Sequence, residues 1–420
     1  MTGTNLQIDA DRLWADLMEL AGITDKDAPW TRRAFSPLYL AGRDWLTRRM
    51  RAAGLEVRLD TAANLIGRRA GRRPELGAIA IGSHIDTVPN GGRFDGPAGV
   101  LAGLEVARSL EEQGVTLDHD LEIIDCLAEE VSIFGLSCIG SRAIAGALDA
   151  QALLRRSPDG RTLGAALREM GGRPEELTTA RRRDLAAFLE LHIEQGPLLE
   201  RDRLDIGVVT TIVGIRRYEI VVSGRADHAG TTPMSGRSDA LVAAAALVSA
   251  IDTKAKARSL AGPAHFVATV GEFRIEPNAA NVIPSRAVLL IDARAETSAD
   301  LDDFGEELAG LIHHVATDHG VNIAPPRVVS DNRPMPCDPE LMEELEQACK
   351  QIGAGHRRIA SGAGHDTAWF ARVCPAAMIF VPCREGRSHT PEEWAEPKAI
   401  ALGASVLLET VRRIDAVRGK

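Results

Sequence analysis

The sequence predicts an α/β protein: an α/β/α sandwich on a largely parallel sheet, interrupted by an inserted α+β domain of ferredoxin-like order. Three observations carry this. Up to about residue 212, apolar strand-like runs alternate with helical spacing, and polar residues collect where the runs end. From about 213 to 329 the order becomes β-α-β-β-α-β, and from 330 the first pattern resumes and continues to 420. A chain of 420 residues exceeds what one hydrophobic core usually organises. Segments 1–212 and 330–420 are therefore expected to form one domain and 213–329 a second.

Taken in order, Leu13, Leu17 and Leu20 predict a helix over 9–22, and Leu38, Leu40, Trp45, Leu46 and Met50 another over 35–53. Short β-like pieces follow at 55–59 and 64–67. The run Ala78-Ile-Ala-Ile81 reads as a buried strand, and Val100, Leu101, Leu104 and Val106 as a helix over about 97–113. Residues 121–127 read as a strand ending on Glu129-Glu130, 137–170 as mostly helical, and 185–193 as a strand ending on His192-Ile-Glu-Gln-Gly-Pro197. Within the insert, strands are expected at 217–224, 264–274, 287–295 and 321–329, with helices at 240–250 and 301–314. The closing segment reads as a helix at 339–352, a Gly-rich turn at 361–367, a strand at 376–381 and a helix to about 412.

Composition narrows the function. Apolar content of 45% with 26% charged residues is that of an ordinary globular protein, and no run approaches the apolar length of a membrane span. The start lacks the basic end and apolar core of a signal peptide, so a cytoplasmic protein is expected. Six cysteines without C-x-x-C spacing argue against a disulfide framework and a thiolate zinc site. A net charge of −10 argues against nucleic acid as partner. No phosphate-binding glycine motif is present.

The stretch Gly82 to Gly99 holds the chemistry. His84 and Asp86 emerge near the carboxyl end of a buried strand, where open α/β sheets bind ligands, and Asp95 arrives on a Gly-rich loop. A histidine, an acid placed to orient it and a second acid on a turn are the parts of a metal site. Glu129, Glu130, His192, Gln195, His365, Asp366 and His389 collect at other strand exits. A lone histidine or aspartate there is ordinarily a hydrogen-bonded surface residue; recurrence at one architectural position is not explained that way. Imidazoles and carboxylates without sulfur suit Zn2+, Mn2+, Co2+ or Ni2+. Adjacent glutamates in extended chain point opposite ways, so one can bind metal while the other stays free as a base.

His84-x-Asp86, Asp95-Gly, Glu129-Glu130, His192-Ile-Glu-Gln-Gly-Pro197, Gly224-x-x-x-His228-Ala-Gly-Thr-Thr-Pro-Met234, Asn281-Val-Ile-Pro284, Asp292-x-Arg294, Gly362-Ala-Gly-His-Asp366 and Ser388-His389-x-Pro-Glu392 together resemble the hydantoinase/carbamoylase-type amidases. That group contains N-carbamoyl-L-amino-acid hydrolases, β-ureidopropionases and allantoate amidohydrolases, within the clan of zinc aminoacylases and carboxypeptidases. The resemblance implies two divalent metal ions, one on His84, Asp95 and His192 and one on Asp95, Glu130 and His389. It implies Asp86 as orienter of His84, Glu129 as general base, and Arg294, Asn281 and Gln195 as groups that hold a carboxylate-bearing amide or ureido substrate. His228 is implied as the stabiliser of the tetrahedral oxyanion, from its own or a partner subunit. The insert is implied to be a lid and homodimer interface, with hinges near 211–215 and 327–332.

Two departures bear on substrate. Members of that group commonly have Gly-Ser-Arg-Phe after the paired glutamates, where this chain has Val131-Ser-Ile133-Phe134, and the loop Cys383 to His389 carries Arg384 and Arg387. Hydrolysis of an N-carbamoyl-L-amino acid is the leading expectation. Allantoate or another ureido or N-acyl acid comes next, then a dipeptidase or deacylase. A fold kept only for binding would hold no metal and show no turnover that depends on Glu129.

Overall fold

The computed structural model describes residues 7–262 and 264–418. The chain divides into two compact units, 1–210 with 336–359 and 364–420, and 211–335 with 360–363. The first opens with helices α1 (Ala10–Ala21) and α2 (Pro37–Ala52). Asp9 and Ser36 cap them by accepting the N–H groups of Arg12 and Tyr39. Strands β1 (Glu56–Leu59), β2 (Leu65–Arg69) and β3 (Ala78–Ser83) follow, then α3 (Pro97–Glu112) and β4 (Asp120–Asp125). The stretch expected to be mostly helical is instead three short helices, α4 (Ile139–Ile144), α5 (Ala150–Leu153) and α6 (Leu163–Glu169). Gly146, at positive φ, follows the end of α4, a turn closed by the Gly160 N–H on the Ser157 carbonyl separates α5 from α6, and Asp149 and Thr162 restart the helices as N-caps. Strand β5 (Leu185–Ile193), α7 (Leu198–Asp202) and β6 (Ile206–Ile212) complete this segment.

The second unit contains β7 (Gly214–Ser223), α8 (Ala240–Ala261), β8 (Phe266–Glu276), β9 (Arg286–Ala295), α9 (Ser298–His319), β10 (Asn322–Ile323) and β11 (Arg327–Asn332). Its sheet runs β10-β7-β9-β8 with antiparallel pairings, and β11 also pairs with β7. That is the split βαβ order. The single strand expected at 321–329 is two pieces, because Pro325-Pro326 supplies no N–H to a ladder. Ile220, Leu247, Phe266, Leu289, Phe304 and Leu308 fill the core of this unit.

The chain then adds β12 (Met335–Pro336), α10 (Pro339–Ile352), β13 (His356–Ser361), α11 (Thr367–Phe370), β14 (Ala376–Val381) and α12 (Pro397–Arg418). The larger sheet runs β1-β2-β4-β3-β5-β14-β6-β12, with β13 also on β6. Its four central strands, β4, β3, β5 and β14, are parallel. The margins are not: β1 with β2, β2 with β4, and β14 with β6 are antiparallel. The short β1–β2 connection permits only a hairpin, and Asp60 closes it by accepting the N–H groups of Ala62 and Asn64. Strands β3, β4 and β14 are buried along their whole length, as strands covered on both faces must be. Beneath the sheet the rings of Phe188 and Phe370 stack at 3.6 Å.

Candidate metal centre

The parallel strands deliver the site from their carboxyl ends. His84 and Asp86 follow β3, Glu129 and Glu130 follow β4, His192 is the penultimate residue of β5, and His389 lies beyond β14. Asp95 precedes α3. His84, Asp95 and His192 each offer a ligand atom within 4.8 Å of the others, and so do Asp95, Glu130 and His389. Asp95 divides its oxygens between the two groups. Its Oδ1 is 3.1 Å from His192 Nε2 and 3.7 Å from His84 Nε2; its Oδ2 is 3.1 Å from His389 Nε2, itself 3.2 Å from Glu130 Oε1.

Hydrogen bonds select which imidazole nitrogen faces inward. His84 Nδ1 lies 3.0 Å from the Asp86 carbonyl and His192 Nδ1 lies 2.9 Å from that of Ile193. A carbonyl accepts only, so each Nδ1 is the protonated nitrogen and each Nε2 keeps its lone pair for the centre. The Asp86 carboxylate is 3.5 Å from His84 Nδ1, and it also accepts the N–H of Glu129 at 3.2 Å and of Glu130 at 3.3 Å. Asp86 thus holds His84 mainly through its main chain and fixes the paired glutamates through its side chain. Gly96, at φ 83°, admits no side chain: a Cβ there would stand 2.4 Å from the His84 ring.

Glu129 is buried, with Oε2 3.7 Å from His84 Nε2 and Oε1 3.3 Å from the Cys138 thiol. Burial pushes its carboxyl well above the usual range, against the pull of His84. The other acids draw protons onto the imidazoles. Hydrogen bonds to Asp95 and Glu130 carry His389 up to about 11, and the Asp86 contact and the Glu129 charge hold His84 well above its ordinary value despite burial. These carboxylates therefore demand positive charge at the point where the Nε2 atoms converge. A divalent cation on neutral imidazoles meets that demand, and the nitrogen and oxygen donor set suits one.

A third group shares His192: Glu190, His192 and His365 also offer atoms within 4.8 Å. His365 packs edge-on to His192 at 4.6 Å, and burial pushes it well below its usual pKa, so it is neutral. Glu190, fully buried, accepts from Ser83 Oγ at 2.8 Å and Thr367 Oγ1 at 2.6 Å, joining β3, β5 and the start of α11. Asp366 accepts from Ser141, and burial beside Glu190 pushes it up to about 7. Glu190 and Glu393 were not among the sequence candidates. Glu190 sits inside an apolar strand, and a buried carboxylate there was the available signal.

Gln195 Nε2 donates to Asp95 Oδ2 at 2.7 Å, and its Oε1 is buried with no partner among the described residues. In the second unit, exposed His228 accepts the Gly230 N–H on Nδ1 at 3.0 Å, and the neighbouring Ala229 N–H donates to the Asn281 carbonyl at 3.0 Å. These two residues are therefore neighbours. Half-exposed Arg294 donates to Asp292 Oδ1 and to the Gly362 carbonyl, each at 2.8 Å. Arg384 pairs with Glu396 and Arg387 with Glu392, so both cations already have surface acids.

A family model described as Peptidase family M20/M25/M40 matches residues 80–413. The N-carbamoyl-L-amino-acid amidohydrolase of Paenarthrobacter aurescens is 39% identical over 97% of this chain and 98% of its own length. The ureidoglycolate hydrolase of Oryza sativa subsp. japonica is 35% identical over 97% of this chain and 85% of its own. Among solved structures, an amidase of the hydantoinase/carbamoylase family from Burkholderia multivorans matches with a TM-score of 0.90 at 38% identity, covering 98% of this chain and 99% of that one. Sequence, fold and the ligand-bearing strand ends agree, and the chain belongs to peptidase family M20/M25/M40, among its hydantoinase/carbamoylase amidases.

Proposed function

We propose that the protein is a metal-dependent amidohydrolase that converts an N-carbamoyl-L-amino acid to the amino acid, carbon dioxide and ammonia. The observation that carries the reading is the division of Asp95: one oxygen faces His84 and His192, the other Glu130 and His389, and Glu129 stands beside them. Those five ligand residues would hold two divalent cations. Bound there, such ions lower the pKa of water and polarise a carbonyl.

The remaining work falls to the protein's own side chains. Glu129 takes a proton from the attacking water and returns it to the leaving nitrogen, a task that suits a carboxyl whose burial raises its pKa. Asp86 keeps Glu129 and His84 in register. Gln195 offers its unpartnered Oε1 as acceptor for a substrate N–H. In this reading Arg294 and Asn281 of the second unit hold the substrate carboxylate, and His228, the neighbour of Asn281, donates to the developing oxyanion from its own or a partner subunit. The second unit also serves as lid and dimer interface in this reading. The relative from P. aurescens favours the carbamoyl substrate by name; the rice relative keeps ureido acids as the second reading.

The test is ammonia and amino-acid release by zinc-loaded and manganese-loaded protein over N-carbamoyl amino acids, allantoate, ureidoglycolate, N-acetyl amino acids and dipeptides. Equal release of ammonia and amino acid from the carbamoyl series supports the proposal. Activity confined to allantoate or ureidoglycolate replaces the substrate class, and acyl hydrolysis without ammonia makes the protein a deacylase.

A further inference from the structure

Two loops that are far apart in sequence meet at the centre. One, Gly91 to Asp95, ends on the shared ligand; the other, Ser388 to Glu393, carries His389. Between them lies the side chain of Glu393, fully buried, with no lysine or arginine nitrogen of the described residues within ion-pair distance. Its Oε1 accepts the N–H groups of Phe94 at 2.8 Å and Asp95 at 3.1 Å. Its Oε2 is 2.7 Å from Ser388 Oγ, which in turn stands 2.8 Å from Asp95 Oδ2. Opposite the carboxylate is Gly92, where a Cβ would fall 1.8 Å from the Glu393 carboxyl carbon.

A buried carboxylate without a cationic partner is a poor stabilising device. What this geometry delivers is registration of one ligand loop against the other. We infer that Glu393 is a positioning residue for the metal site: it locks the Asp95 loop to the His389 loop, and Gly92 is the space that admits it. The inference rests on the two-cation reading above. A competing explanation lies in the aromatic contacts across the same loops, where Trp394 meets Phe94 edge-on at 5.6 Å and Trp14 at 5.4 Å. If those contacts alone set the loops, the carboxylate is dispensable.

Metal release decides the matter. Zinc-loaded protein is mixed with excess 4-(2-pyridylazo)resorcinol and the release rate followed by absorbance, with kcat and KM measured on the same samples. Partners that orient metal ligands typically contribute about 10-fold to 100-fold in affinity or activity. Glu393→Ala is expected to release metal at least about tenfold faster and to lower kcat with KM near that of the parent. Glu393→Gln is expected to stay close to the parent: its amide oxygen can accept both N–H groups, and its amide nitrogen can donate to Ser388, leaving that hydroxyl to serve Asp95. Gly92→Ala should mimic Glu393→Ala by driving a methyl into the carboxylate. The double variant should release metal no faster than Glu393→Ala alone, since the clash has gone.

A parent protein that retains no divalent metal on gel filtration overturns the two-cation reading and this inference with it. A parent that retains metal, with release unchanged in both Glu393→Ala and Gly92→Ala, overturns the inference alone. So does a fall in the melting temperature of the metal-free variants without any change in release.

Discussion

The two units treat most of their candidate residues in opposite ways, with exposed His389 the exception in the first. In the first, His84, Asp86 and His192 are each 1% exposed, and hydrogen bonds to main-chain groups fix them. In the second, His228 and Asn281 are exposed and Arg294 is half-exposed, held by an acid and a carbonyl of its own unit. A buried, hydrogen-bonded group has its geometry and charge set before substrate arrives. An exposed one contributes through what it binds. Under the proposed function this difference would give chemistry to the first unit and recognition to the second, a division that experiment can break.

The largest effect is expected from metal removal. Dialysis against a chelator should abolish turnover, and zinc or manganese should restore it, with metal content followed by atomic absorption; full activity in metal-free protein would end the division of labour. Next, Glu129→Gln should lower kcat by about 10²-fold to 10⁴-fold while metal content holds. A Glu129→Gln enzyme that turns over normally removes this residue as the base. Arg294→Ala should raise KM for carboxylate-bearing substrates by about tenfold to a hundredfold, a loss of roughly 1.5–3 kcal/mol for a charged hydrogen bond, and leave metal binding untouched. Equal losses on analogues lacking the carboxylate would place Arg294 with the chemistry instead.

The smallest expected signal is silence. All six cysteines are buried and belong to the first unit, and burial pushes Cys337, Cys349 and Cys383 up to about 12. Only a minute thiolate fraction remains at pH 8, so native protein should resist alkylation for hours. Mass spectrometry across a urea series would then report the opening of the first unit alone. Rapid labelling without denaturant would show that the unit breathes far more than its packing suggests.

Part of the candidate site was legible because three of its residues follow apolar runs, Ile81 before His84, Leu127 before Glu129 and Leu191 before His192, whereas Asp95 and His389 lie on loops and stood out by their motifs. The helix Pro339–Ile352 and the strands Leu185–Ile193 and Ala376–Val381 lie at their expected bounds, since each has unbroken periodicity between clear stops. Strands β6 and β13 were missed. Each abuts a change of unit, and β13 carries His356, Arg357 and Arg358, a polar opening that hides a strand. The antiparallel margins were not readable either, because direction depends on which neighbour a strand finds. Glu393 escaped notice for a related reason. In sequence it is one of two adjacent acids, and only the fold separates exposed Glu392 from its buried neighbour.

The place of β14 has a consequence for how the molecule comes into being. This strand, residues 376–381, lies between β5 and β6 in the sheet, although both were synthesised more than 160 residues earlier. At about 5–20 residues per second, the ribosome leaves that central slot open for roughly ten seconds or more after β6 emerges. Until then the parallel core lacks one of its strands and His389 does not yet exist. The nascent chain can therefore gather His84, Asp95 and His192 early, but the second group, Asp95 with Glu130 and His389, waits until β14 has been made and its slot in the sheet filled.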